Sequence, residues 1–110
     1  MARAAPVDAH VKAYNARDID LFLSCYSDDV VVEDRAGNVV MRGRDGMLAE
    51  YGPFFADFPE LRAEVVQRLE VGDYVIDEER IYGWQAEPVQ AVAISHVSGS
   101  LIDHVCLFDG

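Results

Sequence analysis

Residues 26–34 read YSDDVVVED, and the secondary structure of the chain changes inside this short stretch. Its first residue closes a helical pattern, and Ser27-Asp28-Asp29 then stops the helix. Three consecutive valines follow, and a run of β-branched residues is typical of a buried strand. The stretch ends on two carboxylates, Glu33 and Asp34, shortly before the turn residues Ala36-Gly37-Asn38. It therefore predicts a helix, a strand and a turn, with acidic side chains where the strand ends.

Helical periodicity surrounds this stretch, and strand patterns fill the second half of the chain. One helix is expected after Pro6, a second after the capping residue Asp18 with Tyr26 on its apolar face, and a third from about Asp45, bent or divided by Gly52-Pro53. Strands are expected over 61–71, 74–82, 89–97 and 101–108. Three N-terminal helices on one face of an antiparallel sheet predict a single α+β domain over residues 1–110.

Composition excludes several classes of protein. About half of the residues are hydrophobic (51%), which is enough to bury a core, and 20 acidic against 9 basic residues give a net charge of -11. Such a charge repels nucleic acid and anionic membrane surfaces, and no apolar run approaches the ~20 residues of a membrane span. Cys25 and Cys106 are read as separate buried thiols. Together with an N-terminus that lacks a signal-peptide pattern, they predict a cytoplasmic protein.

Asp34 is the first candidate for chemistry. Strand alternation sends Glu33 and Asp34 to opposite faces, so one of them is expected on the helix-covered side. A carboxylate in an apolar cavity has a raised pKa and can act as a general base. The alternative is an acid that faces solvent or pairs with Arg35 or Arg42.

Metal and nucleotide chemistry find little support in the sequence. The three histidines, His10, His96 and His104, have no ligand spacing, and no nucleophile elbow or phosphate-binding loop occurs. We therefore expect neither a metal nor a cofactor. The acidic run at residues 77–79 is interpreted as a solvated or interface face.

Residues 14–51 resemble the nuclear-transport-factor-2-like superfamily, in its SnoaL-like and ketosteroid-isomerase-like branch. The resemblance is carried by Ala16-Arg17-Asp18-Ile19-Asp20, by YSDDVVVED, and by Arg42-Gly43-Arg44-Asp45-Gly46 before the third helix. It implies a cone-shaped domain in which a curved antiparallel sheet wraps around three helices and leaves an apolar pocket. This fold hosts many activities, so the resemblance is more specific for fold than for function.

The resemblance also implies site residues. Asp34 falls where ketosteroid isomerases place their general base, and Tyr26 and Tyr51 fall on the tyrosines of the family's hydroxyl network. The sequence departs from the family at the oxyanion hole, where His10 and Ala93 replace the two hydrogen-bond donors. Because one such donor contributes ~3 kcal/mol to transition-state stabilisation, these departures argue against an efficient steroid isomerase.

Three functions follow as hypotheses. The first is a cofactor-independent, isomerase-like enzyme, or a related lyase or hydrolase, acting on a small hydrophobic substrate with Asp34, His10, Tyr26 and Tyr51 as catalytic residues. The expected ligand-binding walls are Phe54, Phe58, Ala91, Ala93, Val105 and Leu107. The second is a non-catalytic ligand-binding or dimerisation module. The third, of limonene-epoxide-hydrolase type, needs Asp34, Arg80 and Asp103 together.

The outer face of the sheet predicts a homodimer. Strand alternation places on it a mixed apolar set, Val92, Ile94, His96, Ile102, His104 and Cys106. An apolar face rimmed by acids favours an interface, and its affinity is expected to fall as the histidines become charged below pH ~6.5. Because few residues follow the last predicted strand, no C-terminal tail is expected over the pocket mouth.

Overall fold

The computed structural model describes residues 3–109 and contains three helices, α1 (Ala5–Ala16), α2 (Ile19–Ser24) and α3 (Gly43–Asp57). Pro6 lies in the first turn of α1, where its missing N–H costs no hydrogen bond. The Asp18 side chain accepts a hydrogen bond from the Leu21 N–H and so caps α2. Both local signals read from the sequence therefore act where they were expected.

Six strands form one curved sheet against which the helices pack. They are β1 (Tyr26–Glu33), β2 (Val39–Arg42), β3 (Arg62–Val71), β4 (Tyr74–Tyr82), β5 (Val89–Ser98) and β6 (Leu101–Asp109). Their order across the sheet is β2-β1-β6-β5-β4-β3. The expected α+β architecture is confirmed. The sheet is not wholly antiparallel, however, because β1 and β6 run parallel, which the long connection between them permits.

One hydrophobic core lies between the helices and the inner face of the sheet. All three helices and every strand except β2 contribute buried side chains to it, among them Val7, Phe22, Val32, Met47 and Val75. On β4 and β5 buried and half-buried positions alternate, as a sheet with only one covered face requires. That alternation determines which strand residues can reach a site beneath the helices.

Two element boundaries differ from the sequence-based expectations. Tyr26 begins β1 instead of continuing α2, because its backbone aligns with Ile102 of β6. Helix α3 continues through Pro53 without division, packed against β1 and α2. The helix is therefore not divided at Gly52-Pro53, because tertiary packing overrides the local effect of the proline.

The prediction that Ile102 lies on the outer face is also wrong. Its side chain is 0% exposed and points inward, because the register between β5 and β6 shifts at His96 and Val97. Val97 pairs with Ile102, and Ser98 pairs with Leu101 across a two-residue turn. A single shifted residue reverses the faces of all positions beyond it. Among residues 3–109, no helix is long and apolar enough to cross a membrane.

Candidate active site

A cavity of about 170 Å³ lies between the helices and the inner face of the sheet. Its helical wall is built mainly from the rings of His10, Tyr14, Phe22, Tyr51 and Phe54. Its sheet wall consists of Tyr26, Val32, Ala63, Glu79, Ile81, Val89, Ala91, Ala93, Ser95, Val105, Leu107 and Asp109. Val11, Met47 and Trp84 complete the lining. The cavity is therefore aromatic on one side and aliphatic on the other, with few polar groups.

Most residues that the sequence singled out for the site lie around this cavity. They are His10, Tyr26, Tyr51, Phe54, Ala91, Ala93, Val105 and Leu107. Phe58 lies one layer behind, with its ring centroid 5.3 Å from that of Phe54. Each of these residues lies either on the apolar face of a helix or at an inward-facing position of a strand, so local periodicity explains its place.

Asp34 lies elsewhere, and the prediction of a buried Asp34 with a raised pKa is wrong. Strand β1 ends at Glu33, and the chain then turns, so alternation no longer applies to Asp34. Its carboxylate accepts hydrogen bonds from the N–H groups of Ala36 and Asn38, both at 2.9 Å. The bond from the Asn38 backbone is the main cause that lowers the pKa of Asp34. This carboxylate holds the β1–β2 turn and does not face the cavity. Glu33 does not face it either, because its carboxylate contacts the His104 ring on the opposite face of the sheet.

The carboxylate that does face the cavity belongs to Glu79 of β4. Its residue is 6% exposed and lies among aromatic and aliphatic side chains. Burial, reinforced by the nearby Asp77 carboxylate, raises the pKa of Glu79 to about 7. Within residues 3–109 no side-chain hydrogen bond reaches this carboxylate. Every fully buried side-chain oxygen in this part of the chain has a hydrogen-bond partner, so the unpartnered Glu79 oxygens are not fully buried. The Glu79 oxygens therefore open onto the cavity.

An ion-pair chain lies next to Glu79 on the same inner face. Asp77 is 2% exposed and receives two hydrogen bonds from Arg68, at 2.6 Å from Nε and 2.9 Å from Nη2. Arg68 also donates to Asp8 of α1 at 2.5 Å. These bonds, chiefly those to Asp77, raise the pKa of Arg68, so the guanidinium stays charged. These ion pairs tie α1 to the sheet beneath the cavity. They compensate the charge of Asp77 and leave Glu79 without a cation of its own.

Three tyrosine hydroxyls accompany Glu79. Burial is the main cause that raises the pKa of Tyr14, Tyr26 and Tyr51, and the nearby Glu79 carboxylate adds to each shift. The pKa of Tyr51 rises to about 12. All three therefore stay protonated at neutral pH and can donate. No side-chain hydrogen bond of the described residues uses these hydroxyls, so they too open onto the cavity.

His10, at the position of an oxyanion-hole donor in the resembled family, offers an acceptor instead. Its Nδ1 lies 2.6 Å from the Val7 carbonyl oxygen, which can only accept, so Nδ1 carries the proton. Burial lowers the pKa of His10 and keeps the ring neutral. The remaining nitrogen, Nε2, then carries a lone pair. His10 consequently cannot stabilise an oxyanion, although it can accept a hydrogen bond from a hydroxyl.

The water-activating set of Asp34, Arg80 and Asp103 is not assembled. Arg80 pairs with Glu78 at 2.8 Å on the face opposite the cavity. Asp103 pairs there with His96 at 2.6 Å, and Asp34 holds its turn. Within residues 3–109 no group of three or more His, Cys, Asp or Glu side chains is arranged to hold a metal ion.

The reading of residues 77–79 as a solvated face is wrong for two of the three. Asp77 and Glu79 share their parity with the buried residues Val75 and Ile81, whereas Glu78 lies on the outer face. That shared parity is the signal in the sequence that identifies Glu79. Parity alone does not show that two acidic residues can be buried. That follows only from the sheet, in which Arg68 of β3 lies opposite Asp77.

Comparison with known proteins gives consistent results. A family model described as a SnoaL-like domain matches residues 7–102. An uncharacterized cystatin-fold protein from Novosphingobium aromaticivorans is 28% identical with a TM-score of 0.90, and the match covers 98% of each chain. No curated protein sequence matches the chain.

Two more distant structures share the fold. A putative polyketide cyclase from Sinorhizobium meliloti is 19% identical over 94% of this chain and 93% of its own, with a TM-score of 0.81. A hypothetical protein with a ketosteroid isomerase-like fold from Catenulispora acidiphila, solved with trimethylamine, is 17% identical over 94% of this chain and 83% of its own, with a TM-score of 0.76. At these identities the likeness concerns the fold alone.

Proposed function

Because the chain belongs to the SnoaL-like domain family, within the nuclear-transport-factor-2-like superfamily, we propose that its cavity binds a small hydrophobic molecule and that Glu79 moves a proton on it. The observation that carries the proposal is the Glu79 carboxylate, buried in an aromatic cavity without a hydrogen-bond partner among the described side chains. A general base works best when its pKa lies near the working pH, and the pKa of Glu79, about 7, meets that condition.

The proposed reaction is an allylic proton shift on a ketone. Glu79 takes a proton from the carbon beside the carbonyl, and the electron pair moves into a dienolate. A tyrosine hydroxyl, from Tyr14, Tyr26 or Tyr51, donates to the oxygen that gains charge. Protonated Glu79 then returns the proton to the far end of the dienolate, and the product is the conjugated isomer. The shift needs only these side chains, and we propose a cofactor-independent isomerase.

His10 has a supporting role in this proposal. Its ring lies beside Tyr26, with the ring centroids 6.0 Å apart. Since Nε2 is an acceptor, it can hold a tyrosine hydroxyl or a substrate hydroxyl in a fixed orientation. Asp34, which supports the β1–β2 turn, has no part in the reaction.

We expect the protein to convert cyclohex-3-enone to cyclohex-2-enone, with deuterium entering the ring in heavy water. The rate should rise with pH and level off above pH about 7, because only ionised Glu79 accepts a proton. Ultraviolet absorbance measures the conversion and proton NMR the deuterium uptake. Asp34→Asn is the control and should leave both unchanged. Tight binding of ring ketones without conversion would instead favour a non-catalytic binding module.

We also propose that the outer sheet face forms a homodimer. Leu69, Ile76, Ile94 and Cys106 are cross-strand partners and form an apolar row across four strands on this face. A row of this kind is self-complementary across a two-fold axis. The two cysteines are free thiols, as a reducing compartment permits, and we propose a cytoplasmic location.

Sedimentation equilibrium at tens of micromolar should therefore give the mass of two chains. Added salt should tighten the dimer, because it screens the net charge of -11 on each chain. Ile94→Lys should shift the protein to monomer, whereas Leu21→Lys, at an exposed apolar position on α2, should not. A wild-type mass of one chain under these conditions would exclude the dimer.

A further inference from the structure

The volume of the cavity limits what it can hold. At about 170 Å³ it is close to the roughly 150 Å³ of a dry engineered cavity that binds benzene. Its rings support one another: the centroid of Phe22 lies 4.8 Å from that of Tyr51 and 5.3 Å from that of Phe55 behind it. Because the walls are backed by close-packed rings, enlarging the cavity requires the aromatic core to move.

Both ends of the cavity are bounded. Asp77, the next inward residue of β4 after Glu79, no longer lines it, because the ion pair with Arg68 fills that space. At the other end Trp84 packs edge-on against Phe54, with ring centroids 5.3 Å apart and planes at 89°. Along β4 the cavity therefore lies between this ion pair and Trp84, with the exposed residue Asp109 at its rim.

The backbone holds Trp84 in place. The residue before it, Gly83, has a φ of +79°, and a Cβ there would lie 2.1 Å from the Glu60 carbonyl oxygen. The chain after β4 is therefore pressed against residue 60, and Trp84 follows directly from this contact. The backbone is therefore fixed next to Trp84, whose ring packs against Phe54 at this end of the cavity.

The polar groups of the cavity select for a neutral acceptor. Three tyrosine hydroxyls, which have no acceptor among the described side chains, lie near the Glu79 carboxylate, and a ligand oxygen that accepts their hydrogen bonds would satisfy them. The lining residues include Glu79 and Asp109 but neither lysine nor arginine. An anionic ligand would lie beside carboxylates with no cation to pair with. An ammonium ion would pair with Glu79 and could donate to a hydroxyl oxygen, but it has no oxygen that accepts from the three hydroxyl protons.

We propose that the ligand is a compact neutral molecule of one six-membered ring that carries a carbonyl or hydroxyl oxygen, and that Trp84 sets this size limit. The proposal rests on the proposed function, because it assigns the substrate class of the same cavity. It excludes fused four-ring ketones and ring carboxylates as substrates.

The test is a set of dissociation constants at pH 7, measured by protein-observed NMR, for phenol, 2-naphthol, a four-ring phenolic steroid, benzoate and benzyltrimethylammonium. Phenol is neutral at this pH and offers the same oxygen as an enol. We expect phenol to bind, the four-ring compound to bind at least ten-fold more weakly, and the two ions not to bind. Trp84→Ala should improve 2-naphthol binding at least ten-fold relative to phenol. Tyr74→Ala, at an exposed ring on the outer face, should leave the order unchanged.

Several results would overturn the proposal. They are a four-ring compound that binds as tightly as phenol, an ion that binds more tightly than phenol, or the absence of phenol binding at millimolar concentration. The proposed function fails separately. If phenol binds in the expected order but Glu79→Gln leaves ketone isomerisation unchanged, the ligand class stands and the catalytic role of Glu79 does not. If the protein converts a four-ring ketone and this conversion depends on Glu79, the catalytic role of Glu79 stands and the proposed ligand class does not.

Discussion

Glu79→Gln is expected to lower the rate of cyclohex-3-enone isomerisation by about 10² to 10⁴-fold, the usual contribution of a general base. Glutamine has nearly the same shape as glutamate but cannot take a proton from carbon. Folding and ligand binding should survive, so the loss should appear in kcat more than in KM.

The same substitution should stabilise the protein at high pH. The pKa of Glu79 rises from 4.5 to about 7 on folding, so the folded state binds more protons than the unfolded state between these values. The free energy of unfolding of the wild type therefore falls as pH rises from 4.5 to 7. Above pH 7 this loss of stability is complete and no longer changes with pH. The shift corresponds to about 3 kcal/mol. Glu79→Gln should remove most of this fall in urea titrations.

Glu78→Gln is the matched control, one residue away on the outer face of β4. Glu78 accepts hydrogen bonds from Gln67 and Arg80, and the bond from Gln67 is the main cause that lowers its pKa. Its replacement should leave isomerisation unchanged and should not stabilise the protein at high pH. Equal activity of wild type and Glu79→Gln, or a Glu79 that titrates near 4.5 in carbon NMR, would show that Glu79 is not the base.

Arg68→Met is expected to destabilise the fold by about 3–5 kcal/mol, the usual result of leaving one member of a buried ion pair without its partner. Asp77, 2% exposed, loses both of its hydrogen bonds, and α1 loses the link through Asp8. Asp8 is exposed and regains water, so the cost arises mainly at Asp77. Urea unfolding at pH 7 measures the effect.

Two further variants separate burial from charge. Arg3→Met removes an exposed pair with Asp73 and should cost less than about 1 kcal/mol. Arg68→Met combined with Asp77→Leu replaces the buried pair by apolar side chains and should recover most of the lost stability. If Arg68→Met costs no more than Arg3→Met, the buried pair does not hold α1 against the sheet.

Local sequence determined most of the scaffold. The valine run of β1, the Asp18 cap and the alternation of β4 and β5 act over a few residues, so the sequence predicted the elements that they form. The same periodicities placed His10, Tyr51 and Ala93 on inward faces, where they line the cavity. The resemblance of residues 14–51 to the SnoaL-like branch is confirmed by the family match, and with it the α+β fold.

The tertiary structure alone decided which carboxylate faces the cavity. Asp34 shares the parity of the buried Val30 and Val32, as Glu79 shares that of Val75 and Ile81, so parity alone does not distinguish the two carboxylates. Asp34 misses the interior because β1 ends one residue earlier and its oxygens are used by the turn. Glu79 keeps the inward parity of Val75 and Ile81, and its neighbour Asp77 is buried as a charge because Arg68 on β3 pairs with it. Burial of a charge depends on partners brought together across the sheet, and such pairings are not encoded in the spacing of residues along the chain.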